Sequence, residues 1–410
     1  MRWELLRLGA HGPPAPVVEI HPGMTKTTYP VEFRRKFVEG WARHEGTFDV
    51  YCSLFGVSRE TGYEWRARFE AYGRVGLDDL SSAPGRCPHE TPLAIQEFVI
   101  AARKLHPTWG ARKLRPWLLE SYPNLVLPAP STIGDILDRN GLVLPRKRRH
   151  HTPPSKRPFV VAEAPNDVWT VDFKGQFRMQ DQRLCYPLTL ADAFSRYLLR
   201  CDAYHHPTEV LTRRSFLAAF REYGLPRVIH SDNGVPFAST APGGLSRLSV
   251  WWVHLGILPE RSAPARPADN GRHERMHRTL KAEATQPPRA HLASQQRTFS
   301  RFQREFNQDR PHQALGQEPP ARHYATSPRP YPRRLPEITY SDQHDVRLVN
   351  SSGHIKWRGK SFFVTEVLSG EPVGVLNVSD DAGEVHFGPI LLGTINHPRS
   401  DLGLIRPPKK

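Results

Sequence analysis

A chain of 410 residues has room for two or three domains at about 150 residues each. It carries 57 Lys and Arg against 41 Asp and Glu, a formal net charge of +16, and its mean hydropathy is -0.54. No stretch approaches the ~18–20 uncharged apolar residues of a membrane span, which excludes an integral membrane protein. The first residues lack the basic, apolar, small-residue order of a secretory signal, so the expected location is the cytoplasm.

The charge excess points to a polyanionic partner, of which nucleic acid is the commonest. Cys52, Cys87, Cys185 and Cys201 lie far apart with no C-x-x-C pair, which argues against a disulfide framework and a cysteine zinc site. His150-His151 and His205-His206 are adjacent pairs rather than i,i+4 ligands, and most histidines read as surface or DNA-facing residues.

The first 23 residues show no clear period; residues 1–28 are expected to form a disordered tail, or to lie partly upstream of the true start if that is Met24. Phe33, Phe37, Val38 and Trp41 then recur at helical spacing. Thr47 precedes a second helical run that Gly56 ends, and Ser58 caps a third with Trp65 and Phe69 inward. Residues 29–80 are therefore expected to form a helix-turn-helix domain, with Arg59, Glu60, Tyr63 and Arg66 toward the major groove. An ordinary small helical bundle fits the same pattern. Gly62 works against the third helix by ~1 kcal/mol relative to alanine.

A second helix-turn-helix-like domain is expected over 88–143. Thr91-Pro92 starts a helix with Ile95, Phe98, Val99 and Ala102 inward; Pro116 kinks or splits the next; Ser131 caps a third carrying Ile133, Ile136 and Leu137. Residues 144–160 form a basic, proline-rich linker whose Arg146, Lys147, Arg148 and Arg149 would lie along phosphates.

Residues 161–325 read as α/β: strands at 168–173, 184–190, 197–203 and 227–230, and helices at 208–223, 245–255, 269–284 and 292–308. This order predicts one mixed sheet with helices packed on it. Short strands separated by turn residues over 340–400 predict a small all-β barrel.

Three acids stand where a metal site needs them. Asp172 ends the strand motif Trp169-Thr-Val-Asp172, Asp232 follows the Val228-Ile-His230 strand, and Glu274 lies one turn into a helix entered by Asp269-Asn270-Gly271. Hard divalent cations prefer such oxygen ligands. Two of them can activate a water or 3′-hydroxyl and stabilise the leaving oxygen of a phosphodiester.

Trp169-Thr-Val-Asp172, His230-Ser-Asp232-Asn-Gly234 and Pro267-Ala-Asp-Asn270-Gly271-Arg-His-Glu274 resemble the DDE catalytic core of bacterial insertion-sequence transposases and, more distantly, of retroviral integrases. Ala191-Asp-Ala-Phe-Ser-Arg196 and Arg310-Pro-His-Gln-Ala-Leu315 look like the same family. The resemblance implies an RNase H-like core, Mg²⁺ or Mn²⁺ as two ions, polynucleotidyl transfer without a covalent protein intermediate, and Asp172, Asp232 and Glu274 as catalytic metal ligands. Between Asp232 and Glu274 lie 41 residues, more than in many relatives; the extra length falls in Ser239-Thr-Ala-Pro-Gly-Gly244. No histidine-cysteine zinc module like that of retroviral integrases is visible.

Lys281 lies seven residues after Glu274, about 20° short of two full helical turns, so the two share a helix face with His277 and Arg278 between them. That face is expected to meet DNA. Asp192 falls in a turn between strands and is kept out of the acidic set. The expected function is a transposase that binds the terminal inverted repeats of an insertion sequence and target DNA as a dimer or larger assembly, in a bacterial cytoplasm at the nucleoid. The alternatives are a catalytically inactive DNA-binding regulator and an RNase H-like nuclease.

Overall fold

A computed structural model describes residues 29–79, 90–143, 160–262, 271–397 and 403–406. The expected tail and the linker basics Arg146, Lys147, Arg148 and Arg149 lie outside the described residues. The chain divides into two compact units, Met1–Glu90 and Thr91–Lys410.

In the first unit, α1 (Val31–Trp41), α2 (Phe48–Leu54) and α3 (Arg59–Tyr72) enclose Phe37, Phe48, Tyr51, Cys52 and Trp65. Ser58 caps α3 by accepting from the Thr61 N–H at 3.2 Å. Gly62, costly on propensity, is explained by packing. A Cβ there would lie 2.7 Å from Cys52 Sγ and 3.2 Å from the Phe37 and Phe48 rings. Gly62→Ala should therefore lower the unfolding free energy by about 1–3 kcal/mol, through overpacking that outweighs the gain in helix propensity. Urea denaturation of the wild type and variant checks this.

The second unit begins with α4 (Leu93–Leu105), α5 (Ala111–Ser121) and α6 (Pro130–Arg139), packed around Val99, Trp109, Leu114, Leu118, Ile133 and Ile136. Pro116 does not split α5, which runs through it as one helix. Burial of Leu114 and Leu118 on either side holds the helix together despite the lost hydrogen bond. Two expected caps are displaced. Helix α4 starts after Pro92, which offers no side-chain acceptor, and Pro130 takes the first turn of α6, leaving Ser131 inside the helix.

The central sheet comprises β1 (Val168–Phe173), β2 (Phe177–Arg178), β3 (Leu184–Asp192), β4 (Leu198–Tyr204), β5 (Val228–Ser231) and β6 (Leu258–Arg261). Strands β1, β3 and β4 are antiparallel neighbours, whereas β1, β5 and β6 run parallel. The parallel strand β6 is not among the expected elements: Leu258-Pro-Glu-Arg261 is polar and carries a proline, and it occupies the sheet edge where both are tolerated.

Helices α7 (Glu209–Tyr223) and α8 (Arg247–His254) cover one face of the sheet. Helices α9 (Gly271–Ala284) and α10 (Leu292–Gln308) cover the other. Side-chain alternation serves both layers. Trp169 and Val171 of β1 join the α7–α8 core, so Thr170 and Asp172 face α9.

The C-terminal strands are β7 (His344–Leu348), β8 (His354–Trp357), β9 (Lys360–Phe363), β10 (Pro372–Asn377), β11 (Ala382–Phe387) and β12 (Ile390–Asn396). Where a barrel was expected, the described pairings are an antiparallel sheet β12-β11-β10-β7 and a separate β8–β9 hairpin. Both contribute to one core, with Trp357 and Phe362 of the hairpin packed with Val373, Val375 and Val385 of the sheet.

Candidate active site

Strand pairing brings two of the three acids to neighbouring strand ends. Val171 of β1 is paired with Ser231 of β5, so Asp172 and Asp232 each come one residue further along parallel strands. Asp232 is held in a tight turn, its Oδ1 accepting from the Gly234 N–H at 3.1 Å. A Cβ on Gly234 would stand 2.9 Å from Asp232 Oδ2, so a side chain there would push the carboxylate aside. Glu274 is exposed in the first turn of α9.

Burial, then the negative charge of Asp232 and that of Glu274, push the Asp172 carboxyl up to about 7, against a lesser pull from Lys174. Each of the other two acids is thus close enough for its charge to act on Asp172. Lys174 is itself lowered by burial and by the like charge of Lys281, which places that exposed lysine on the same flank.

His277 departs from the expected DNA face. It is 9% exposed, and its Nδ1 lies 3.8 Å from Asp172 Oδ2. Its Nε2 is 2.7 Å from Thr189 Oγ1, and the same hydroxyl is 2.6 Å from His273 Nε2. The other ring nitrogen of His273 is 2.9 Å from Thr170 Oγ1. Burial drives His273 well below the ordinary histidine range, and burial followed by the Lys174 charge takes His277 down to about 3, so both rings are neutral at physiological pH. The surface reading of the histidines fails here because α9 lies flat on the sheet, and the i,i+4 pair His273–His277 forms its inner stripe. That spacing is present in the sequence. Nothing in the sequence marks Thr189, which becomes significant because it stands opposite Asp172 in the β1–β3 ladder.

Of the remaining residues expected to meet DNA, Arg278 and Lys281 are exposed on α9. In the first unit Arg59 is exposed and paired with Asp49 at 2.8 Å, while Arg66 is paired with Glu70 at 2.7 Å. Asp192 is buried and holds its turn, accepting from the N–H groups of Asn166 and Ser195 at 2.8 and 2.7 Å.

On the far flank of α9 a cavity of about 420 Å³ is lined by Lys113, Arg196, Arg275 and Arg310. Burial and the neighbouring Arg310 take the Lys113 amine down to about 8.

The donor chemistry fits a hard divalent cation. The charges of Asp232 and Glu274 both reach the partly buried Asp172, and burial with these charges raises its carboxyl to about 7, an arrangement that a bound cation would relieve. Among the described residues Asp172, His273 and His277 also present ligand atoms within 4.8 Å of one another. Both nitrogens of His273 are already engaged by threonine hydroxyls, however, which favours the carboxylates as the ligand set.

Residues 162–267 match the integrase core domain family, and 255–320 match a second integrase core domain model. Residues 33–86 match a helix-turn-helix domain and 61–137 a homeodomain-like domain. An insertion element IS476 protein of Xanthomonas euvesicatoria is 26% identical over 69% of this chain and 79% of its own length. The Gag-Pol polyprotein of baboon endogenous virus is 29% identical over 43% of this chain, which spans only 10% of that polyprotein. An intasome structure of simian T-cell lymphotropic virus aligns over 75% of this chain and all of its own, at 18% identity and a TM-score of 0.36. The chain therefore carries an integrase core preceded by helix-turn-helix domains, with insertion-element proteins among its homologues. Among the described residues no helix is long and apolar enough to cross a membrane.

Proposed function

We propose, from the premise that this is an integrase-core protein with helix-turn-helix domains, that it is the transposase of an insertion sequence: it binds the element's terminal inverted repeats and performs divalent-metal-dependent strand cleavage and strand transfer. The observation that carries this reading is the adjacency of Asp172 and Asp232 at the ends of parallel strands, with the Glu274 charge acting on the partly buried Asp172. Asp172, Asp232 and Glu274 would hold Mg²⁺ or Mn²⁺. Bound there, the cations supply positive charge where a water or 3′-hydroxyl is activated and where the leaving oxygen develops charge.

The chain's own residues do the rest. The helix-turn-helix domains, with Arg59 and Arg66 on α3, select the element ends, and the basic run Arg146, Lys147, Arg148 and Arg149 follows phosphates. Arg278 and Lys281 hold the DNA backbone beside the acids. In cleavage, water attacks a phosphorus and frees a 3′-hydroxyl. In transfer, that hydroxyl attacks a target phosphorus and displaces a target 3′-oxygen, with no bond to the protein. Two ends must be held together, so a dimer or larger assembly on DNA in the bacterial cytoplasm is part of the proposal. The presence of dedicated DNA-reading domains favours this over an RNase H-like nuclease.

The experiment supplies the full-length protein with paired element-end DNA, a target plasmid and Mg²⁺. Joined products support the proposal; cleavage without joining supports the nuclease, and binding without chemistry the inactive regulator. Lys281→Ala should weaken DNA binding uniformly across sequences and reduce the slope of log affinity against log salt by about 1. Fluorescence anisotropy titrations at several salt concentrations check this.

A further inference from the structure

We infer that Thr170, His273, Thr189 and His277 form a one-way chain of hydrogen bonds whose last ring, His277, turns its Nδ1–H toward the Asp172 carboxylate and acts as that group's positioning residue. This rests on the reading of Asp172 as a metal ligand.

The chain follows from counting protons. Thr189 Oγ1 stands 2.6 Å from His273 Nε2 and 2.7 Å from His277 Nε2, and it owns a single hydroxyl proton. Where it donates that proton to one ring and accepts from the other, the two neutral rings carry opposite tautomers. Both rings are buried, at 3% and 9% exposure, and both lean on the Thr189 hydroxyl for a partner.

Two polarities run through Thr189 in this way; in a third arrangement Thr189 accepts from both Nε2–H groups and donates to the Asp172 carbonyl oxygen at 3.2 Å. In the forward one, Thr170 donates to His273 Nδ1, His273 Nε2–H donates to Thr189, and Thr189 donates to His277 Nε2. The N–H of His277 then sits on Nδ1 and faces Asp172. In the reverse one, His273 Nδ1–H donates to Thr170, which passes its own proton to the Ala191 carbonyl. His277 then carries its proton on Nε2 and turns a bare Nδ1 toward Asp172.

Thr189 lies closer to the two rings than to the Asp172 carbonyl oxygen, 3.2 Å away, which disfavours the third arrangement. The Thr170 contacts, 2.9 Å to His273 Nδ1 and 3.3 Å to the Ala191 oxygen, are satisfied in either polarity, and the charge of the Asp172 carboxylate favours the forward one. The last link, His277 Nδ1 to Asp172 Oδ2 at 3.8 Å, is longer than a hydrogen bond, so its sign matters more than its length. An N–H directed at a carboxylate attracts it; a ring lone pair repels it. The polarity also decides a second matter. His277 could ligate a metal together with Asp172 only through a bare Nδ1, which the forward chain denies it.

The fold builds this arrangement from three elements. Thr170 and Asp172 are two apart on β1 and share a face. Thr189 is the cross-strand partner of Asp172, and His273 and His277 are one turn apart on the helix that covers that face.

The test is ¹⁵N NMR of histidine-labelled, metal-free full-length protein, with the two rings assigned by signal loss in His273→Gln and His277→Asn. The forward chain predicts a protonated Nε2 on His273 and a protonated Nδ1 on His277; any other pair overturns it. Thr189→Val should scramble the His277 tautomer and weaken Mn²⁺ affinity by about 10–100-fold. Saturating Mn²⁺ should recover most of the turnover, and Thr189→Ser should restore the affinity. Unchanged Mn²⁺ affinity in a folded Thr189→Val variant overturns the inference. If wild-type protein joins no strands, the transposase reading fails while the tautomers and the Mn²⁺ titration still judge the chain.

Discussion

Asp172→Asn is expected to abolish strand joining while making the metal-free protein more stable at alkaline pH. The loss of activity comes from removing the carboxylate that two strand ends and a helix surround. Charge stabilisation of this kind contributes several kcal/mol, about a hundred- to thousandfold in rate.

The gain in stability has a separate origin. Asp172 is partly buried beside the charges of Asp232 and Glu274, and its carboxyl is held at about 7 against an ordinary value of 3.8. A group whose pKa is raised on folding contributes its full stability below the unfolded value and loses it as pH rises through the folded one. The metal-free wild type should therefore lose about 1–3 kcal/mol between pH 5 and pH 8 from this group. The Asp172→Asn variant, with an amide that does not titrate, should show a flatter profile, and millimolar Mg²⁺ should raise the wild-type melting temperature but not that of the variant. Thermal melts at pH 5 and 8, with and without Mg²⁺, check each part. Equal pH profiles for the two proteins would contradict it.

Arg310→Met is expected to be the most destabilising single change outside the site. Arg310 is 6% exposed, pairs with Glu283 of α9 and lies over the Trp109 ring at 5.7 Å from its centroid. Trp109 stands between α4 and α5, so one guanidinium ties the helical part of the second unit to the helix that carries Glu274. His106 adds a link to Glu305 at 3.1 Å, and Thr108 bonds Glu283 as well. Removing one partner of such a pair strands the other charge, at about 3–5 kcal/mol. Arg310→Met combined with Glu283→Leu should recover most of that loss, because the stranded charge goes too. Guanidinium denaturation read as a double-mutant cycle checks this; equal losses for single and double variants would contradict it.

The motif Arg310-Pro-His-Gln-Ala-Leu315 is visible in the sequence, but its role is not. The reason is physical: Arg310 acts through Glu283 and Trp109, and only folding brings these three together. Local features are more legible. Ser58 caps the helix it precedes, accepting from the N–H of Thr61. The alternation in Val168–Phe173 tells which side chains face apart. Gly62 misleads because propensity is a property of one helix, whereas its absent side chain answers to two others. Strand β6 escapes a reading by pattern because edge strands tolerate polar sequence.

The three acids of the candidate site are legible because each stands in its own local motif. The His–Thr chain behind Asp172 is not, since it depends on which residues face one another across the β1–β3 ladder and under α9.

The central claim is that Asp172, Asp232 and Glu274 share divalent cations. Crystals of the full chain with Mn²⁺ and element-end DNA, measured at the manganese absorption edge, test it most directly. The account predicts anomalous peaks about 2–2.5 Å from carboxylate oxygens of all three residues. Manganese bound at Asp172 and the His277 ring with Glu274 turned away, or no peak beside Asp172 at saturating metal, would contradict it.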